Sequence, residues 1–221
     1  TRFTILFLLM AMFFTVQAQY LVPGTIRNNS ENNQINFPEE NGLTELYSVT
    51  GNYYLSVDGA GLNSNYTVDV NKPSNDAVVH KAILMAATYD GTIPNGCVTL
   101  NGTGLNWEGS IVNALGGSNY HVDVTSVVGP VMDAAASGIT SFDVTECNTF
   151  TTDGIALLVI FSDPNASEET IVILFGAQAF DGDTFSIALA ESINPDVPNA
   201  LIDMGLGISF SYQLGGSQQY S

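Results

Sequence analysis

Four aspartates, Asp153, Asp163, Asp181 and Asp183, are the residues whose type and placing point most directly to chemistry in this chain. Asp181-Gly-Asp183 has the form of an acidic turn, while Asp153 and Asp163 bracket an apolar run, so the four are expected to gather hard oxygen ligands at one end of a β-sandwich. Calcium takes about six to eight such oxygens and is the metal expected for this set. Asp-Gly turns also form for purely conformational reasons. No phosphate-binding loop, dinucleotide fingerprint or EF-hand loop is present, so no other cofactor is expected.

The only two cysteines are Cys97 and Cys147. Two thiols make no zinc site without His or carboxylate help, and an exported chain meets oxidising conditions, so a disulfide is expected. Closing a loop of that length stabilises a fold by roughly 4 kcal/mol in the chain-entropy description. Two buried free thiols are the alternative.

Catalysis finds little support. His80 sits in an apolar stretch and His121 in an alternating one, and no Gly-x-Ser-x-Gly elbow accompanies them. Carboxylate pairs for glycoside hydrolysis can be drawn in many ways from 22 acids, and no spacing selects one. No catalytic residue is expected, and the chain reads as a non-enzyme. Tyr89, Trp107 and Tyr120 are the aromatics expected to stack on a ligand such as a sugar.

Strands must position these residues. Gly154–Phe161 and Thr170–Gly176 are short, uniformly apolar and rich in Val, Ile and Phe, which predicts two adjacent strands buried on both faces. The polar stretch from Ser162 to Glu169 holds Pro164 and predicts a reversing loop, hence an antiparallel hairpin. Further strands are predicted at Tyr53–Val57, Tyr66–Val70, Ala77–Ala87, Cys97–Leu100, Tyr120–Val124, Phe142–Val144, Thr184–Leu189 and Ile208–Tyr212. Asn101-Gly102 is a strong hairpin signal. One or two helical turns are expected between Val127 and Ala136, stopped by Gly138. Ser-Asn-Tyr-Thr-Val-Asp-Val at Ser64–Val70 is echoed by Ser-Asn-Tyr-His-Val-Asp-Val at Ser118–Val124, best explained as two strands solving one packing problem. The sum is an all-β fold, an antiparallel β-sandwich with jelly-roll-like character.

The first residues carry one base, Arg2, then an apolar run from Phe3 to Val16 and a small residue at Ala18. This predicts a secretory signal over residues 1–18, cleaved after Ala18. The run falls short of the roughly 20 residues that span a bilayer, and no later stretch reaches that length. Residues 19–48 read as an Asn-rich leader or edge segment, and 49–221 as the β-sandwich domain. The chain opens on Thr, and it reads as a piece of a longer open reading frame.

Losing Arg2 takes the formal charge from −18 to −19. Such a surface repels nucleic acid and anionic lipid, since both need Lys or Arg to neutralise phosphate. It suits a secreted, salt-exposed protein.

Thr67–Pro73, Lys81–Thr88, Val98–Gly102, Tyr120–Val127, Asp153–Phe161 and Thr170–Gly176, taken in succession, resemble an uncharacterised domain. That domain occurs near the amino terminus of large secreted surface proteins of Bacteroidota, which carry further β-sandwich repeats and a sorting domain of the type IX secretion machinery. The resemblance covers about residues 50–215 and rests on strand patterns. It implies an extracellular or cell-surface, adhesin-like role, and brings no catalytic residue with it. The expected function is therefore non-catalytic binding of a glycan or surface protein, in adhesion or extracellular assembly. A carbohydrate-active or glycan-binding jelly roll and a structural spacer or polymerising subunit are the alternatives.

Overall fold

A computed structural model describes residues 12–19, 42–61, 65–88, 90–113, 116–147, 152–177 and 201–208, with backbone alone for the first and last of these ranges. Tyr89, Asp181, Asp183 and the predicted strand at Thr184–Leu189 lie outside the described residues, as does most of the one at Ile208–Tyr212.

The strands in chain order are β1 (Met12–Gln19), β2 (Thr44–Ala60), β3 (Asn65–Lys72), β4 (Val78–Thr88), β5 (Val98–Leu100), β6 (Thr103–Gly104), β7 (Gly109–Val112) and β8 (Ser118–Asp123). Helix α1 (Thr125–Ala134) follows, then β9 (Gly138–Glu146), β10 (Thr152–Ser162), β11 (Glu168–Phe175) and β12 (Leu201–Ile208). They form two antiparallel sheets, one ordered β12-β1-β11-β2-β10-β4-β8-β7 and the other β3-β9-β5-β6. The architecture is the all-β sandwich that the strand patterns predict. Among the described residues no helix is long and apolar enough to cross a membrane.

Two separate cores explain why β4 and β10 are apolar without alternation. Ala82, Leu84, Ala86, Leu157, Val159 and Phe161 face the smaller sheet and α1, where Val68, Phe142, Val144, Val128 and Met132 meet them. The side chains between them, Ile83, Met85, Ala156, Leu158 and Ile160, join Ile171, Ile173 and Phe175 in a second core. Burying each such side chain is worth about 1.5–3 kcal/mol, so strands with apolar residues on both faces anchor the fold. The echoed segments also meet here: Val68 and Val70 of β3 and Tyr120 and Val122 of β8 fill the first core from opposite sheets.

The predicted hairpin between the two apolar runs does not form. β2 stands between β10 and β11 in the sheet, pairing with β10 through Tyr53–Ala60 and with β11 through Thr44–Asn52. Ser162 opposes Tyr53 and Glu168 opposes Asn52, so the chain jogs along β2 without reversing. The 17 residues of β2 are long enough to serve both partners, and the strand begins at Thr44, inside the stretch read as leader. The turn chemistry of Pro164 and Asn165 is spent on this jog.

The large sheet curls. β8 and β11 have three strands between them, yet Asn119 Nδ2 donates to Gly176 O at 2.7 Å and the His121 and Phe175 rings meet edge-on at 4.7 Å. The second core lies against this curled sheet. Cys97, just before β5, and Cys147, just after β9, form the expected disulfide, with Cα atoms 5.0 Å apart across a separation of 50 residues.

Lys72 at the end of β3 is 2% exposed, and its Nζ donates to the carbonyls of Met132 (2.9 Å), Asp133 (3.3 Å) and Ala135 (2.9 Å). A cation thus satisfies the last turn of α1, where unpaired carbonyls and the helix dipole favour positive charge.

Candidate functional site

Of the four aspartates expected to hold calcium, Asp153 and Asp163 are among the described residues, and the fold does not bring them together. Asp153 and Asp163 lie at opposite ends of β10, separated by ten residues of strand at about 3.3 Å each, or about 33 Å. They cannot share one ion. Asp163 is buried and accepts the Asn165 amide at 2.9 Å, while its carbonyl accepts from Ala166, so it shapes the jog between β10 and β11. Among the described residues no group of three or more His, Cys, Asp and Glu is placed to hold a metal.

Of the three aromatics expected to stack on a ligand, Tyr120 and Trp107 are among the described residues. Tyr120 is 6% exposed, its hydroxyl accepts the Ile93 amide at 3.2 Å, and its ring lies 5.1 Å from that of Trp107. It is a core residue with no face free for a sugar. Trp107 is half-buried and packs on the first core beside it. An alternating strand puts every second residue inward, and Tyr120 shares its parity with the buried Val122 and Val124.

An aromatic surface is built instead on the opposite face of the large sheet. Tyr47 and Tyr53, six residues apart on β2, share a face and lean on the second core. A register shift between Ile160 and Phe161 leaves His80 as the extra residue of a β-bulge in β4. That bulge brings the exposed His80 ring 4.8 Å from Tyr53 and 6.2 Å from Tyr47, and His80 Nε2 shares a 2.7 Å hydrogen bond with the Tyr47 hydroxyl. Lys81 Nζ sits 5.7 Å from the centre of the Tyr47 ring and pairs with Asp123 of β8. Glu108 Oε2 accepts the Asp123 amide at 3.2 Å.

The charges on this face are fixed by neighbours. Burial alone would raise Asp123, but hydrogen bonds from Lys81 and Thr125 together with the Lys81 charge hold its carboxyl below the usual range. Burial and the adjacent Tyr53 push the Tyr47 phenol up, against the pull of Lys81. His121, farther along β8, is lowered by burial against the pull of Glu108 and therefore favours its neutral form. The patch thus presents two half-buried tyrosine rings, a fixed Lys–Asp pair that can meet hydroxyl or amide groups, and an imidazole at its exposed rim. Asp123 accepts hydrogen bonds well but, held ionised, has no proton to give.

No family model, curated protein or solved structure matches the chain.

Of these patch residues only His80 stood out in the sequence, and then as an imidazole without a catalytic partner. Tyr47 falls in the Asn-rich stretch read as leader, and nothing local announces that β2 starts early enough to place it beside Tyr53. The bulge that turns His80 outward is set by pairing with β10. The one usable signal was the spacing of Tyr47, Val49, Tyr53 and Leu55, all of one strand parity.

Proposed function

We propose that this chain is a secreted or cell-surface β-sandwich module that acts by non-catalytic binding, in adhesion or extracellular assembly. The observation that carries the reading is the Tyr47–Tyr53–His80 patch with its Lys81–Asp123 pair. Ring faces beside fixed polar groups are what a saccharide needs, the rings covering C–H faces and the charges taking hydroxyls. The strong acidity of the chain narrows the ligand to a neutral or cationic glycan, because an anionic one would be repelled. The Cys97–Cys147 disulfide and the resemblance to amino-terminal domains of Bacteroidota surface proteins support the extracellular setting.

The carbohydrate-active alternative is weaker. Glu146 and Asp153 are two neighbouring carboxylates with raised pKa values, the pattern a glycosidase requires, but they are only 7% and 8% exposed. A glycosidic bond cannot reach them.

Retention on a panel of neutral polysaccharides tests the binding reading. The intact chain is retained by at least one of them, and the double variant Tyr47→Ala, Tyr53→Ala loses at least about tenfold in affinity, or about 1.4 kcal/mol. Equal binding by the folded double variant, or no binding by the parent, would sink it.

One observation favours the polymerising alternative as a second reading. β1 falls within the predicted signal and pairs on one side with β11 and on the other with β12. Cleavage after Ala18 leaves only Gln19 of that strand, so the outer edge of β11 becomes open to a strand from a neighbour. Amino-terminal sequencing with native mass measurement of the exported protein decides it. A Gln19 start in a monomer excludes that reading, and a Gln19 start in higher oligomers supports it.

A further inference from the structure

The end of the first core nearest the disulfide holds polar atoms that the fold leaves without partners. Along β9 the side chains of Phe142, Val144 and Glu146 point inward, so Glu146 ends an otherwise apolar row. Asp153 has the parity of Ile155 and Leu157 and faces inward from the other sheet, next to a register shift between Thr152 and Gly154. The Tyr66 hydroxyl donates to Glu146 Oε1, which leaves Glu146 Oε2 unpaired. Asp153 Oδ2 and Thr152 Oγ1 are unpaired as well, in side chains exposed by 8% and 2%.

Buried oxygens without donors are costly, and two carboxylates facing one another without a cation are more so. Nature has two ways out: protons on the carboxyls, or a cation between them. The Asp153 charge acts on Glu146, so the two carboxyls share one space, and a cation there meets all three unpartnered oxygens at once. All three orphaned atoms are acceptors when the carboxyls are ionised, and among the described residues none is paired with a Lys or Arg. Hard oxygens of this kind, two of them charged, suit calcium, with neutral oxygens completing its shell.

We propose that Glu146 Oε2, Asp153 Oδ2 and Thr152 Oγ1 bind a calcium ion between the two sheets, beside the Cys97–Cys147 bridge. The ion ties the end of β9 to the start of β10 and so rigidifies the sandwich end. Tyr66 acts as a positioning residue, holding Glu146 Oε1 so that Oε2 turns to the ion.

The test uses the full chain at neutral pH, thermal unfolding with calcium or chelator, and terbium as a luminescent calcium substitute. Calcium at a hundredfold excess over its Kd raises the midpoint by about 5–10 °C for a domain of this size. Terbium emission sensitised by Tyr66 appears and is displaced by calcium. Asp153→Asn and Glu146→Gln each abolish the calcium shift while keeping or raising the calcium-free midpoint. If either variant fails to fold, terbium titration of the parent chain decides alone. No midpoint shift and no sensitised emission in the folded parent overturns the proposal, as does a calcium shift that survives in both folded variants.

Discussion

Replacing Lys72 by Met keeps the straight aliphatic stem and removes only the ammonium, so it isolates what that charge does at the end of α1. Nζ is the donor to three carbonyls of the last turn, and the side chain is 2% exposed. Asp133 and Ala135 are open enough for water to replace the lost donor, whereas Met132 is fully buried. The Met132 carbonyl keeps one bond, from the Ala135 amide at 3.2 Å. The loss is therefore about one charge-assisted hydrogen bond, 1.5–3 kcal/mol, plus up to about 1 kcal/mol of dipole interaction. Returning the ammonium to water on unfolding offsets part of this, and a net destabilisation of about 2–3 kcal/mol is expected. Urea unfolding followed by the single Trp107 measures it, and amide exchange at Ala135 should quicken beyond the global change. A Lys72→Met chain as stable as the parent, or more so, would show that desolvation of the ammonium outweighs its three bonds, and would refute the capping account.

Two further perturbations have definite signs. Replacing Cys97 and Cys147 together by Ser opens the 50-residue loop and should lower stability by about 4 kcal/mol, roughly 10 °C in melting midpoint for a chain of this length; a change below about 1 kcal/mol would mean that the unfolded chain is not constrained by the bridge. In calcium-free buffer Asp153 should impose a pH slope. Its carboxyl is raised by burial from 3.8 to about 6, so the folded state holds the proton more tightly than the unfolded one. That contribution to stability is complete below about pH 4, declines as pH rises, and is gone above about pH 6, a loss of about 3 kcal/mol. Glu146 and Tyr66 face the same space, and the raised carboxyl of Glu146 adds a slope of the same sign. Asp123, held low by Lys81, works in the opposite sense at acid pH, so the readout is the difference between the parent and Asp153→Asn. Identical slopes in the two chains would remove Asp153 from the account.

What could be read from the sequence was whatever depends on one strand at a time. The apolar runs at Ile155–Phe161 and Ile171–Phe175 are buried on both faces as their composition requires, because two cores claim alternate residues. Asn101-Gly102 turns with φ of 47° and 75°, as a hairpin of that type demands. What could not be read was partnership. The loop after Ser162 looks like a reversal, and only the length of β2 and its register against both strands make it a jog. The same limit governs the sites. Asp153 and Asp163 look like neighbours because they flank one run, but an extended strand carries its two ends as far apart as ten residues allow. Tyr120 looked available because aromatics bind sugars, yet its alternation with Val122 and Val124 already marked it as inward.

Glu146 makes the same point in reverse, and it links the two surfaces of the molecule. It continues the inward row of Phe142 and Val144, where a strand built only for stability would place another aliphatic side chain. Removing it by Glu146→Leu together with Tyr66→Phe, so that no hydroxyl loses its acceptor, should therefore raise stability in calcium-free buffer, since apolar residues of similar size relieve one orphaned oxygen and one neighbouring charge. An acid retained where a hydrocarbon would serve the fold better is the mark of a group kept for what it holds. The aromatic patch around His80 belongs to the other core and shares no residue with this one. Binding at the patch and the response to calcium should thus separate cleanly, with Glu146→Leu losing the calcium shift and keeping the patch's polysaccharide affinity within about twofold. Loss of both together would mean that the sandwich end and the curled face move as one unit.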